Sequence, residues 1–304
     1  MRVIDIETAC SILLSKGVVA FPTETVYGLG ADAADDAACT KIYKLKKRAT
    51  TNPLIVHVRD LEHARQFGHM TPLAEKLAQK YWPGPMSIVV PSANRASSVA
   101  LAGKKTICLR VPAHPVAQEL LAQSGLAIAA PSANLSRMIS ATKSDHVAKY
   151  FDIPVIAEDG CVCGIESTIV DCTSDIPVIL RDGFITEEDI EYSMDLHCKR
   201  AVNHGIAPGS EQKHYAPDCP LRMNATYASQ MEVAVNFDDS RLHGAFSLVL
   251  GSDFVDAARN FYNVLHDAER LVRMHDLKGI AFAPIPFGGV GVALNDKLRR
   301  ASAR

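Results

Sequence analysis

Leu126-Ala127-Ile128-Ala129-Ala130 runs straight into Pro131-Ser132-Ala133-Asn134, and from there into Ser136, Ser140, Thr142 and Ser144. The first five residues read as a buried strand. A strand that empties into small hydroxyl and amide side chains suits an anionic ligand. The backbone can approach closely there, and neutral donors meet phosphate or carboxylate oxygens. The same tetrapeptide occurs as Pro91-Ser92-Ala93-Asn94, after Ile88-Val89-Val90, but it leads into Arg95-Ala96-Ser97-Ser98. One copy at most is expected to form a site.

Outward from this strand, short apolar runs alternate with helical patterns. Val18–Phe21, Leu54–Val58, Ser87–Val90, Thr106–Val111, Val155-Ile156, Thr168–Asp171 and Val178–Leu180 read as further strands. Helices are expected from Asp35 or Asp36 to about Lys47, with Ala38, Ile42 and Leu45 on one face, and over 62–66, 73–81 and 116–123. Trp82-Pro83-Gly84-Pro85 stops the third of these. Helix after strand, with some strands consecutive, predicts an α/β domain with a mixed rather than purely parallel sheet.

From Asp195 to about Pro220 the pattern stops. This stretch holds His197, Lys199, Arg200, His204, Pro208-Gly209, His214-Tyr215 and Pro217, and it reads as a linker or a functional lid. Strands at 233–235, 245–250 and 279–283 follow, with a long helix from Asp256 to about His275 and a last one near Asn295–Ala303. That order predicts a small Rossmann-like second domain. The expected division is 1–194, 195–220 and 221–304.

The chain has 304 residues, 48% hydrophobic and 22% charged, which allows a large buried core. A net charge of -2 excludes a polyanion-binding protein by composition, so any basic function is local. The eight cysteines form no C-x-x-C pair, and Cys161-Val162-Cys163 has the wrong spacing for a zinc knuckle. They read as reduced, partly buried thiols. No signal peptide is apparent and no apolar run approaches the ~20 residues that span a bilayer. The expected location is the cytoplasm, with no membrane association.

Four segments carry candidate chemistry. In Phe21–Gly30 a strand leads into the hydroxyls of Thr23 and Thr25, then into Gly28 and Gly30, which allow an unusual backbone path. A plain strand–turn–strand is the alternative. Next come Lys41, Lys44, Lys46, Lys47 and Arg48, then Asn52-Pro53-Leu54. Cations at a helix C-terminus favour the dipole and suit a solvated face. Lys46 and Arg48 also lead into a strand, which places them near a sheet edge and fits a triphosphate. Arg110 ends the apolar strand Ile107-Cys108-Leu109, where it pairs with either an internal acid or a ligand carboxylate. Gly164–Asp171 opens a strand with hydroxyls, and Arg181 ends the strand after it. Gly288-Gly289-Val290-Gly291 reads as helix–sheet packing rather than a phosphate loop. No catalytic triad, Walker A loop or G-x-S-x-G elbow is present.

In order and spacing these four segments resemble the YrdC-like family. Ala207-Pro208-Gly209, His214-Tyr215-Ala216-Pro217 and the tail Asn295–Ala301 resemble its longer, two-domain form. The resemblance implies an N-terminal domain with a twisted mixed sheet around a central cavity. It implies a nucleotidyltransferase that makes L-threonylcarbamoyladenylate and pyrophosphate from ATP, L-threonine and bicarbonate or CO2. The product would pass to a tRNA threonylcarbamoyl transferase system that modifies the position next to the anticodon.

Carried over residue by residue, the reactive centre falls on Lys46, Arg48, Ser132 and Asn134. ATP contacts fall on Arg48, Asn52, Thr106, Ser132, Ser140, Arg181 and Tyr215. Threonine contacts fall on Thr25, His57, Arg110, the Ala130 backbone and Ser167. Mg²⁺ would ride on the phosphates, with no dedicated protein cage. The chain departs from the family pattern at Ala49 and Asp182, where proline is usual, and at Arg137, where glycine is common. The copy of the tetrapeptide at 131 is thus expected to form the site, and the copy at 91 a surface loop.

An RNA-binding module of the same fold is the competing reading, since Lys41–Arg48 could track a backbone. The net charge and an aromatic content of 6% count against it. A maturation factor that uses carbamoyl phosphate would carry C-x-x-C pairs, which this chain lacks.

Overall fold

The computed structural model describes residues 2–158, 160–201, 213–238 and 242–303. The linker residues His204, Ala207-Pro208-Gly209 and Ser210-Glu211-Gln212 lie outside the described residues.

The chain opens with β1 (Arg2–Val3), α1 (Ile6–Leu14), β2 (Val19–Phe21), β3 (Gly28–Asp32), α2 (Asp36–Lys46) and β4 (Ile55–His57). It continues through α3 (Leu61–Phe67), α4 (Pro72–Tyr81), β5 (Met86–Pro91), β6 (Thr106–Arg110), α5 (Pro115–Ser124) and β7 (Ile128–Ala129). Then come α6 (Ser144–Ala148), β8 (Pro154–Val155), β9 (Thr168–Asp171), β10 (Val178–Arg181), α7 (Glu187–Met194) and β11 (Lys199–Arg200). The last part holds β12 (Leu221–Arg222), β13 (Glu232–Asn236), β14 (Phe246–Val249), α8 (Phe254–Met274), β15 (Gly279–Phe282) and α9 (Val290–Ala301).

Among the described residues, β1 to β11 form one mixed sheet in the order β1-β8-β2-β3-β7-β4-β6-β5-β9-β10-β11. β12 to β15 form a second, all-parallel sheet in the order β12-β15-β13-β14. The expected α/β class and mixed sheet are therefore present, with a small parallel α/β unit behind them.

Three details differ from the sequence reading. β4, which follows Lys46 and Arg48, is a central strand between β7 and β6 rather than near an edge. β2 and β3 pair antiparallel, which is the strand–turn–strand alternative. Gly28 and Gly30 have no unusual backbone path; they give room to an aromatic ring. A Cβ on Gly30 would stand 2.6 Å from Phe21 Cε1 and 2.8 Å from Ile128 Cγ2. Finally, the stretch after Asp195 is not wholly irregular, because β11 pairs parallel with β10.

Helix starts follow capping chemistry. Asp5, Asp35, Asp60, Thr71 and Asp253 each accept a hydrogen bond from a first-turn amide. In α2 the buried row Cys39, Ile42, Tyr43, Lys46 follows helical spacing, so the lysine continues the core face. Lys41, Lys44 and Lys47 stay exposed. Gly291 packs as expected: a Cβ there would meet Pro286 O at 2.3 Å and Phe254 Cε1 at 2.6 Å.

Candidate active site

Two loops at the middle of the large sheet are zipped together. Leu29 N donates to Pro131 O (2.8 Å), Ala133 N to Tyr27 O (2.7 Å) and Tyr27 N to Ala141 O (2.8 Å). The Thr23 hydroxyl donates to Val26 O at 2.6 Å and tightens the first loop. Between these loops lies a chamber with about 570 Å³ of free space, counted to its open mouth.

The chamber brings together Thr25, Arg48, His57, Arg110, Ala130, Ser132, Ser167, Arg181 and Tyr215 from the sequence-derived set. Thr23, Glu166 and His214 line it as well. Among the described lining residues, none comes from Pro91–Asn94. That copy caps the end of β5, with Asn94 exposed and in a left-handed conformation (φ 59).

Lys46, Asn134 and Ser140 stand one layer behind the chamber surface. The Lys46 ammonium, 1% exposed, donates to the carbonyls of both Ser132 and Asn134. Burial first, then Arg48, pushes its pKa well below the usual lysine range. Asn134 Nδ2 donates to the Leu135 and Met138 carbonyls, each at 2.8 Å, and shapes the loop from inside. Ser140 Oγ donates to Glu166 Oε1 at 2.7 Å. Arg48 reaches back to the turn before β4, donating to Asn52 O (3.2 Å) and Pro53 O (3.1 Å). Asn52 thus meets Arg48 through its carbonyl. Thr106 opens β6 opposite Pro91 and is not among the lining residues.

Arg110 is buried at the end of β6. Nη1 donates to Thr25 Oγ1 (2.9 Å), Nε to Gly84 O (3.3 Å), and Nη2 lies 2.6 Å from Glu24 Oε1. An internal acid, Glu24, therefore meets this arginine, and nothing local in the sequence marks it. Neither Glu24 oxygen is aligned for a hydrogen bond. His57, whose Nδ1 has no partner, is pushed down to about 3 by burial and by Arg110. It is a neutral imidazole at working pH.

On the other side, Arg181 donates to Ser167 O through Nη2 (2.8 Å) and to Ser167 Oγ (3.1 Å). Tyr215, almost fully buried, stacks obliquely on Tyr262 with ring centroids 5.6 Å apart. Before it, His214 N donates to Arg300 O (3.2 Å). Burial and the flanking cations Arg48, Lys46 and Arg181 hold the His214 ring neutral. The structure bears on two departures from the family pattern. Arg137 is left-handed (φ 74), a conformation glycine adopts without strain. Asp182 pairs its carboxylate with Arg200 at 2.9 Å.

A family model described as "Telomere recombination" (Sua5, YciO and YrdC) matches residues 11–183. A second, described as "Threonylcarbamoyl-AMP synthase, C-terminal domain", matches residues 185–303. The chain belongs to the Sua5/YrdC family. It has the two-domain form, with the Sua5-type C-terminal domain. A threonylcarbamoyl-AMP synthase of Bacillus subtilis is 36% identical over 98% of this chain and 93% of its own length. One of Pyrococcus abyssi is 34% identical over 98% and 94%. The crystal structure of P. abyssi Sua5 with L-threonine superposes with a TM-score of 0.88 at 31% identity, covering 99% of this chain and 96% of the other. The family resemblance seen in the four segments and the tail thus extends over the full chain.

Proposed function

We propose that the chamber forms L-threonylcarbamoyladenylate and pyrophosphate from ATP, L-threonine and bicarbonate. The observation that carries this reading is the convergence of a carboxylate-type arginine, Arg110, and phosphate-type arginines, Arg48 and Arg181, on one chamber. The relatives are threonylcarbamoyl-AMP synthases, and the P. abyssi structure holds L-threonine. In this reading the threonine carboxylate meets Arg110 and Thr25, with Ser167, His57 and the Ala130 backbone around it. ATP lies against Arg48, Ser132 and Arg181, with Asn52, Thr106 and Ser140 assigned to it by the family resemblance.

Bicarbonate takes up one proton and gives CO2 and water. The threonine ammonium loses one proton before its amine attacks that CO2, and a second as the N–C bond forms the carbamate. One of these protons is used by bicarbonate and the other passes to water. A carbamate oxygen then attacks the α-phosphorus, and pyrophosphate leaves. No side-chain nucleophile takes part; positioning and cation placement lower the barrier. Lys46 braces the Ser132 and Asn134 carbonyls so that the loop keeps its shape while charge moves.

Among the described residues no cluster of His, Cys, Asp and Glu side chains is arranged to hold a metal ion. The acids nearest the chamber, Glu24 and Glu166, already face Arg110, Ser140 and Tyr262. A Mg²⁺ would instead be carried by the ATP phosphates, where it would neutralise oxygen charge. The described end of the linker, with His214 and Tyr215 on the chamber, serves as the lid, and Tyr215 as its contact to ATP. The product goes to a tRNA threonylcarbamoyl transferase system in the cytoplasm. No described helix is long and apolar enough to cross a membrane.

The test is pyrophosphate release with ATP, bicarbonate and L-threonine, each omitted in turn. Release that needs all three is expected. Release indifferent to threonine refutes the assignment, and salt-sensitive RNA binding without release supports the RNA-binding reading.

A further inference from the structure

Every group assigned above to the chemistry belongs to the large sheet or the linker, yet the segment with Glu166 and Ser167 is held from the second unit. Glu166 is buried, and its carboxylate meets three groups. Ser140 Oγ donates to Oε1 at 2.7 Å, the Tyr262 hydroxyl donates to Oε2 at 2.7 Å, and Lys297 Nζ stands 3.8 Å from Oε2. Tyr262 belongs to α8 and Lys297 to α9. Burial and the neighbouring Glu166 push the Tyr262 hydroxyl well above its ordinary range, so it stays a donor at any working pH. Lys297, 1% exposed, also donates to the Asp182 carbonyl at 3.0 Å, directly after Arg181. One ammonium therefore links the loop that carries Ser167 to the end of the strand that carries Arg181.

Backbone contact says the same. Gly164 has φ +67, and a Cβ there would lie 2.4 Å from Ala258 O and from Arg259 Cα. The 164–167 turn is thus seated directly on α8. The apolar core of the second unit also takes in Val26, Ile139 and Ile165 from the first. Each is the chain neighbour of a site residue: Thr25, Ser140 and Glu166.

We infer that the C-terminal domain builds one wall of the chamber, with Tyr262 and Lys297 as positioning residues that hold Glu166, Ser140 and Arg181 for ATP. This rests on the ATP side assigned above. Tyr262→Phe keeps the ring and removes one hydrogen bond to a carboxylate. It is expected to raise the KM for ATP about tenfold while the KM for threonine moves less than about twofold. Glu166→Gln also weakens the Ser140 and Lys297 contacts and is expected to cost at least as much. Adding Tyr262→Phe to it is expected to add nothing further, because the carboxylate that Tyr262 serves is already gone.

ATP binding measured by calorimetry without threonine reads the link without turnover, with Lys297→Met as a third variant expected to weaken it. If wild-type release ignores threonine while these variants still bind ATP more weakly, the reaction is wrong and the wall stands. Wild-type ATP affinity in all three variants, equal loss for both substrates, or effects that multiply in the double variant would overturn the inference.

Discussion

The Arg110–Glu24 pair gives the sharpest prediction, because both side chains are almost wholly out of water, at 4% and 5% exposure. Breaking a buried pair from one side leaves a lone charge, which costs about 3–5 kcal/mol. For a domain of this size each kcal/mol lowers the melting temperature by roughly 2–4 °C. Glu24→Gln and Arg110→Met alone are therefore each expected to melt about 6–20 °C lower. The double variant, with neither charge, should recover most of that loss.

L-threonine separates the two single variants. Glu24→Gln leaves Arg110 without its acid, so the threonine carboxylate becomes the group that neutralises it. Saturating threonine should then raise the melting temperature of Glu24→Gln by more than it raises wild type. It should leave Arg110→Met unmoved. Thermal unfolding of the four proteins, with and without threonine, is the assay. If the single losses simply add in the double variant, the two side chains are not coupled. If threonine shifts Glu24→Gln no more than wild type, Arg110 is not the carboxylate site.

The duplicated tetrapeptide supplies an internal control. Asn134→Ala removes the amide that ties down the Leu135 and Met138 carbonyls and should lower pyrophosphate release at least ~10-fold. Asn94→Ala, on the exposed copy, should leave release unchanged, and the opposite pattern would reverse the site assignment. Acid sensitivity is also expected. His57, His146 and His266 are all pushed down to about 3, in each case chiefly by burial. Unfolded, they titrate near ~6.5, so between that pH and about 3 the unfolded chain binds more protons. Stability is complete above the unfolded value and falls with pH, by up to about 1.4 kcal/mol per unit for each histidine. Urea midpoints from pH 7.5 to 5 would show it. His146 stacks on His266 at 3.8 Å, so His146→Asn should flatten the slope, and an unchanged slope would clear the pair of this role.

Much of the chamber was legible because its residues break local rules. Arg110 stands in an apolar strand; Lys46, by contrast, reads in sequence as one of a solvated run of cations, and its place on the buried row of α2 went unseen. Ser132 follows a strand that ends at proline. Glu24 broke no rule: an acid between two threonines reads as a loop residue, and its partner is supplied by a strand 86 positions later. Glu166, Tyr262 and Lys297 were hidden for the same reason, since their meeting depends on how two sheets dock. The central place of β4 was also out of reach, because strand order follows from pairing across distant segments. α1 was missed although its signals are local: Asp5 caps it, and Ala9, Cys10 and Leu13 form its buried row. The left-handed turn at Arg137 went the other way, with a side chain where backbone geometry favours none.

The two carbonyl contacts of Lys46 limit what that side chain has left to offer. An ammonium carries three N–H vectors. Two point at the backbone oxygens of Ser132 and Asn134, so at most one remains for any further partner. In hydrogen-bond valence, then, this lysine is worth no more to a nucleotide than one backbone amide. What it adds is a unit of positive charge, fixed in place by two oxygens of the loop it supports. A flat guanidinium at that position would bring five donors where the ammonium makes two bonds.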